Sequence, residues 1–395
     1  MTVFEATIPP AVEPAPGWSQ SLADGAPGIA LLHWENARTG IGSEGLARQW
    51  FAAMTRGPVT ARPDAAGLYR GVPAVGFALH AADHPGYGAA LRNFDEHIAV
   101  LAQTRLAKAH ERIDRAELPV LREFDLISGL TGIGAGLLRR HGHSTLLVQV
   151  LGYLVRLTDP VRHDGDLLPG WWCRTGPRSQ TTNAWRGGHA NLGIAHGISG
   201  PLALLATTLR LGITVPGQVE AIERITAWLD EWRHGSDGRV WWPGVISRVE
   251  WRTATVRQSG PQRPSWCYGT PGLVRAQQLA ALALADTRRQ QTAEDALAGC
   301  LRDEQQLTLL RDASVCHGWA GLIHATRRVA ADASPGGGLA QLLPGLEARL
   351  IDHLHQHGPP VGNGLLEGRT GIRLVQLATN VAPITRWDAC LLLEA

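Results

Sequence analysis

The chain has 395 residues, 44% of them hydrophobic, and its 37 Lys and Arg against 35 Asp and Glu leave a net charge of +2. With a single lysine, Lys108, and no basic run, that balance excludes an electrostatic case for nucleic acid or an anionic membrane surface. The lack of any run of roughly 18 apolar residues, or of a secretion signal at Met1–Glu5, argues for a cytoplasmic protein whose five cysteines, an odd number, are free thiols.

In chain order, the Pro-rich stretch from Ile8 to Pro16 reads as part of a mobile arm over residues 1–20, and residues 21–395 read as one domain built on a repeat. Its mark is a Gly-x-x-Gly step that opens an apolar stretch. Gly25-Ala26-Pro27-Gly28 is the first, and Gly71-Val72-Pro73-Ala74 is a weaker second. Gly129/Gly132, Gly197/Gly200, Gly269/Gly272, Gly318/Gly321 and Gly368/Gly371 follow. Successive starts lie roughly 46 to 72 residues apart, the period of helix-pair repeats with insertions in the longer units. In a chain with 46 glycines one or two such steps mean nothing, but seven define a repeat.

The stretches after the steps, such as Leu273 to Leu284, are apolar nearly all round and predict buried helices. Between them lie amphipathic segments such as Val219 to Asp230, with apolar positions three and four apart. The expected fold is therefore all-α, an α/α toroid of seven inner and seven outer helices. Closing the ring avoids the apolar end faces that an open array must cap. Glycine suits the start of each inner helix, where backbones crowd.

Insertions with loop or β-hairpin character are expected near 160–190 and 236–266. His163-Asp164-Gly165-Asp166 and Ser236-Asp237-Gly238-Arg239 both carry an Asp-Gly turn signal, and Val245 to Trp251 alternates weakly, as a strand does. Trp171, Trp172, Trp185, Trp241, Trp242 and Trp251 fall in or near these insertions, either as lids over apolar helix ends or as ligand contacts.

Reactive side chains recur just ahead of the steps. Asp125 lies four residues before Gly129, His196 precedes Gly197, Cys267 and Tyr268 precede Gly269, and Cys316 and His317 precede Gly318. Copies of one unit present such residues at the same end of the fold. Two thiolates and an imidazole form a zinc set with a fourth position open, so Cys267, Cys316 and His317 are candidate ligands for one zinc per chain, although no Cys-x-x-Cys spacing supports them. Two thiolates leave the ion nearly neutral. Such a site suits activation of a substrate thiol, mostly protonated at neutral pH with its reference pKa of about 8.5, better than activation of water. Cys300 and Cys390 read as buried small hydrophobes, and Cys173 leans the same way.

The strings Ala195-His196-Gly197, Trp266-Cys267-Tyr268-Gly269 and Cys316-His317-Gly318, in that order, resemble the lanthionine cyclase family of lanthipeptide biosynthesis, and the seven steps extend the resemblance over essentially the whole chain. The resemblance implies that Cys267, Cys316 and His317 bind zinc and that His196 and Asp125 are the catalytic histidine and aspartate. It assigns Arg263 to the family's active-site arginine and counts Tyr268, between a ligand and the glycine, among the catalytic residues. An Asp just before a helix is also a common N-cap, which is the competing reading of Asp125. The implied reaction joins a peptide cysteine to dehydroalanine or dehydrobutyrine in a dehydrated precursor peptide. A dehydratase and a transporter are further implied partners, with membrane association only through them. The same residues would serve a relative that adds glutathione or a protein thiol to dehydrated residues, or a non-catalytic zinc-containing peptide scaffold. Terpene-type α/α chemistry is disfavoured by the lack of Asp-x-Asp-Asp and Asp-Asp-x-x-Asp motifs.

Overall fold

Each step opens a helix because the loop before it folds back beneath the first helical turn. A Cβ on the second glycine of the step would lie between 1.9 and 2.7 Å from the carbonyl oxygen six residues upstream. This holds for Gly28 over Leu22, Gly132 over Leu126, Gly200 over Ile194, Gly272 over Trp266, Gly321 over Val315 and Gly371 over Leu365. No larger residue permits that approach, which is why the step recurs. The computed structural model describes residues 8–236, 239–379 and 382–394.

The seven helices so opened are Ala26–Arg38, Val72–Ala81, Leu130–His141, Ser199–Arg210, Thr270–Ala283, Trp319–Ala331 and Arg369–Leu377. Each packs on the next, and the last packs on the first, so the inner helices close into a ring. Their buried faces, Ile29 to Trp34, Ile133, Leu202 to Ala206, Leu279 and Ile323 among them, form the core. Six outer helices cover it: Glu44–Ala53, Gly88–Asp114, Thr145–Arg156, Gln218–Glu231, Thr287–Arg302 and Leu339–His357. The toroid is as expected, but its outer layer has six helices rather than seven among the described residues. After the last inner helix the chain turns into the ring instead.

That final segment is held from several sides. Glu35 of the first inner helix accepts from the backbone N–H groups of Ile384 and Thr385, at 2.8 and 2.9 Å. The Tyr69 hydroxyl donates to the Cys390 carbonyl, Trp266 Nε1 to Leu391 and Arg275 Nε to Leu393, at 2.8 to 3.0 Å. Asp388, fully buried, accepts from His324 Nε2 at 2.7 Å and from the Arg328 guanidinium. Trp387, Cys390, Leu391 and Leu393 are fully buried, so the carboxy-terminal segment fills the bore.

The insertions form two small sheets. Val161–His163 pairs with Asp166–Leu168 across Asp164 and Gly165, whose φ values of 49° and 83° are those of a tight hairpin turn. The sister turn at Asp237-Gly238 lies outside the described residues, although His234 and Trp241 bridge on either side of it. Val245–Ser247 pairs with His189–Asn191. The strand expected over Val245–Trp251 stops at Ser247, because Ser247 and Glu250 form a reciprocal capping box that starts the helix Arg248–Thr253.

Of the amino-terminal 20 residues, 1–7 lie outside the described residues. Beyond them Pro9 is buried, the Pro10 carbonyl accepts from Arg56, and Glu13 accepts from Ser19. Among the described residues no helix is long and apolar enough to cross a membrane.

Candidate metal centre

The inner helices run side by side in a closed ring, so the loops that precede them gather at one end. Backbone hydrogen bonds join these loops in repeat order. Leu22 N–H donates to Tyr69, Tyr69 to Ile127, and Leu126 to Ala195. Cys267 donates to Cys316, Cys316 to Leu366, and Leu366 to Ala23, at 2.8 to 3.4 Å throughout. Residues at one register therefore emerge together, amid helix N-termini whose dipoles favour negative charge. Among the described residues, only the junction between the His196 and Cys267 loops lacks such a bond.

Cys267 and Cys316 are brought together by the bond between their backbones. Their sulfurs and a ring nitrogen of His317 all lie within 4.8 Å of one another. Adjacent residues Cys316 and His317 reach one point because they stand in a loop that ends at the helix N-cap Gly318, where the His317 N–H donates to Ser314 Oγ at 3.2 Å. Ligands sharing a zinc, with Zn–S near 2.3 Å, sit roughly 3.5–4 Å apart in a tetrahedron, so this soft donor set fits that ion. Hydrogen bonds from Cys316 and His317 hold the Cys267 thiol far below the usual thiol range despite its burial, and that thiolate pushes Cys316 and His317 up. One thiolate is thus stabilised before any ion binds. His317 Nε2 lies 3.3 Å from Asp312 Oδ2, a carboxylate placed to orient the ring. Nothing in the local sequence marks Asp312, because its role depends on the ring rotamer of His317.

Arg263 is half-buried and close enough to favour the thiolate at Cys316, and its guanidinium makes no hydrogen bond to the described residues. Gly269, with φ 129°, allows the turn that brings Arg263 and Cys267 to the same end; a Cβ there would stand 2.5 Å from the Arg263 carbonyl.

His196 and Asp125 meet across neighbouring loops, linked by the Leu126–Ala195 backbone bond. His196 Nδ1 donates to Asp125 Oδ2 at 2.7 Å. Asp125 is buried, and its other oxygen accepts from the N–H groups of Ser128 and Gly129, both at 2.7 Å. The N-cap of the helix Leu130–His141 is Gly129, without a side-chain cap, so Asp125 is no N-cap; its carboxylate holds the loop ahead of that helix and partners the histidine at once. These loop bonds lock its position, and with Nδ1 engaged, Nε2 of the half-exposed imidazole is left free.

The Tyr268 ring stacks on His196, with centroids 6.3 Å apart, and its oxygen accepts from Asn191 Nδ2 at 2.9 Å. Burial pushes its phenol up to about 12, so it stays protonated. Asn191 is a site residue that sequence reasoning misses; a strand of the insertion carries it there. Cys173, Cys300 and Cys390 stand apart from the thiol pair, buried, each held protonated by that burial. Of the insertion tryptophans, Trp171, Trp172 and Trp242 are buried packing residues, Trp172 donating to Gly187 and Trp242 to Leu229. Only Trp185, Trp241 and Trp251 keep partly exposed faces.

The lanthionine synthetase C-like protein family matches residues 16–392 of the chain. The chain is 24% identical over 260 residues to the nisin biosynthesis protein NisC of Lactococcus lactis subsp. lactis, a stretch covering 64% of this chain and 60% of that protein, less than two thirds of the relative's length. The solved structure of nisin cyclase superposes with a TM-score of 0.77 at 20% identity, over 96% of this chain and 93% of that one, and shares its fold.

Proposed function

We propose that this chain, which belongs to the lanthionine synthetase C-like protein family, is a zinc-dependent cyclase that closes thioether rings in a dehydrated, ribosomally made peptide. The observation that carries the reading is the convergence of Cys267, Cys316 and His317 beside the His196–Asp125 pair at one end of a closed helical ring. A binding scaffold needs no oriented imidazole, and two thiolates, which leave the ion nearly neutral, favour activation of a thiol over that of water.

Cys267, Cys316 and His317 would hold the ion, with Asp312 orienting His317. When bound, zinc supplies the acidity that turns a substrate thiol into a thiolate at neutral pH. In the addition, a sulfur lone pair forms a bond to the β-carbon of the dehydro residue, and the C=C π pair moves onto the carbonyl oxygen. That pair then returns to the α-carbon, which takes up a proton. Nothing leaves, and no redox partner is required. His196 would deliver the proton from Nε2 while Nδ1–H donates to Asp125, whose charge would support the imidazolium. Arg263 offers its uncommitted guanidinium to the developing oxyanion.

The test is to incubate the metal-loaded protein with a peptide containing dehydroalanine and cysteine, and to count alkylatable thiols. Loss of one thiol per ring, with no mass change, is the expected result. A gain of one glutathione mass on the peptide, with its cysteine still alkylatable, would instead identify an intermolecular thiol-adding enzyme. Peptide binding with neither thiol loss nor glutathione gain would leave a scaffold.

A further inference from the structure

Asn191 stands where the ring of backbone hydrogen bonds is interrupted. It ends the strand His189–Asn191, is 1% exposed, and touches both loops that the ring fails to join. On one side, its carbonyl accepts from Ile198 N–H at 2.9 Å, and a Cβ on Gly197 would lie 2.4 and 2.5 Å from its two oxygens, so the His196 turn is moulded around it. On the other side its amide reaches the Tyr268 hydroxyl.

The orientation of that amide is settled by a neighbour. Gly193 N–H donates to Asn191 Oδ1 at 3.0 Å, which makes the other terminus the NH2 group. Asn191 must therefore donate to Tyr268 rather than accept from it. The phenolic oxygen is occupied as an acceptor, and its own O–H makes no hydrogen bond to the described residues. The ring has one seat: a Cβ on Gly193 would stand 2.9 Å from Tyr268 Cδ1, so glycine there admits it edge-on.

We propose that Asn191 is a positioning residue that fixes the rotor of the Tyr268 hydroxyl, directing its proton away from the strand and presenting it as a hydrogen-bond donor to the substrate carbonyl next to His196. The insertion strand thus builds the site as well as covering it. Donation strengthens as charge grows on that oxygen during attack, so its effect falls on kcat rather than KM. The kinetic part of this inference rests on the cyclase reading.

The decisive substitution is Asn191→Asp, equal in size but able only to accept, which draws the phenolic proton back onto itself. Two readouts are taken on the metal-loaded, full-length protein. In the first, the chain is labelled at tyrosine Cζ, and the Tyr268 signal is assigned among the four tyrosines with Tyr268→Phe. Asn191→Asp is expected to shift that signal, and an unmoved signal overturns the proposed contact whether or not the protein cyclises peptides. In the second, ring closure is followed by thiol loss. Asn191→Asp is expected to lower kcat roughly ten- to a hundredfold with KM nearly unchanged, and to have no further effect in a Tyr268→Phe background. Unchanged kcat, or an equal loss in both backgrounds, overturns the proposal. Should Asn191→Asp fold poorly, Asn191→Ser, small and able to donate, takes its place: partial retention of kcat supports the proposal, and unchanged kcat overturns it. A wild type that closes no ring refutes the cyclase reading, while the Cζ signal still decides the role of Asn191.

Discussion

Gly272→Ala is expected to destroy the metal centre without touching a ligand. Gly272 is in the first turn of the helix Thr270–Ala283, and a Cβ there would stand 2.0 Å from the Trp266 carbonyl oxygen and 2.8 Å from Ile194 Cγ2. Real Cβ contacts do not fall below 3.0 Å, so the Trp266 carbonyl must retreat by about 1 Å, and it is bonded directly to the nitrogen of Cys267. A metal site tolerates displacements of only about 0.2 Å in its ligand distances. Over-packing of this kind costs about 1–3 kcal/mol. With an unfolding entropy near 2.1 cal/mol/K per residue, that lowers the melting temperature of a chain this long by about 1–4 °C. Elemental analysis after passage over a chelating resin should find far less than one zinc per chain, while calorimetry finds a folded protein that melts slightly lower. Gly136→Ala is the matched control on another inner helix. Its Cβ would meet Leu68 Cδ1 at an ordinary 3.6 Å, so it should keep its metal and gain about 0.5–1 kcal/mol from helix propensity. A full zinc equivalent in Gly272→Ala with unchanged melting would refute the link between the glycine step and the site.

Cys316→Ala should lose zinc and retain the helical circular dichroism spectrum, whereas Cys173→Ala, which alters a thiol outside the cluster, should keep the metal; the opposite pattern would move the centre. His196→Ala should keep zinc while ring closure slows by roughly two to four orders of magnitude, and full activity would remove its acid role. Asp125→Asn should slow closure in the same direction and also weaken the charge-assisted bonds to the Ser128 and Gly129 N–H groups, at about 1 kcal/mol by denaturant unfolding. Burial alone would raise the Asp388 carboxyl, but hydrogen bonds and charge from His324 and Arg328 outweigh it and hold the group at about 2. Its folded value lies below the unfolded one near 3.8, so its stabilising contribution is complete above about pH 4 and is lost as the pH falls to about 2. That loss is worth about 2 kcal/mol, which should appear as a fall in the denaturation midpoint that Asp388→Asn no longer shows over that window. Burial lowers the His33 imidazole to about 4, so in the same titration stability should begin to fall below about pH 6.5 as the unfolded chain takes up that proton first, and His33→Gln should flatten that part of the curve.

The repeat, the closed inner ring and the shared register of Asp125, His196, Cys267, Cys316 and His317 were all legible in the amino-acid sequence. The physical cause is local: a loop carbonyl beneath six of the seven helix starts admits only glycine, so those units carry their own mark. Register then carries reactive side chains to one end without knowledge of any contact. What depends on pairing between distant segments left no such mark. Asn191 reaches Tyr268 because a strand of one insertion pairs with a strand of the other, and an asparagine in a polar stretch looks like any other. Asp312 matters through the orientation of a single imidazole. That the described residues hold no seventh outer helix was equally hidden, because the apolar run Cys390–Leu393 has the composition of a packed helix. Its carbonyls are instead taken up by Tyr69, Trp266 and Arg275 inside the ring, partners that exist only in the folded chain. Periodicity records which side of an element is buried, but not which distant donor satisfies a buried acceptor; that choice is made when the ring closes.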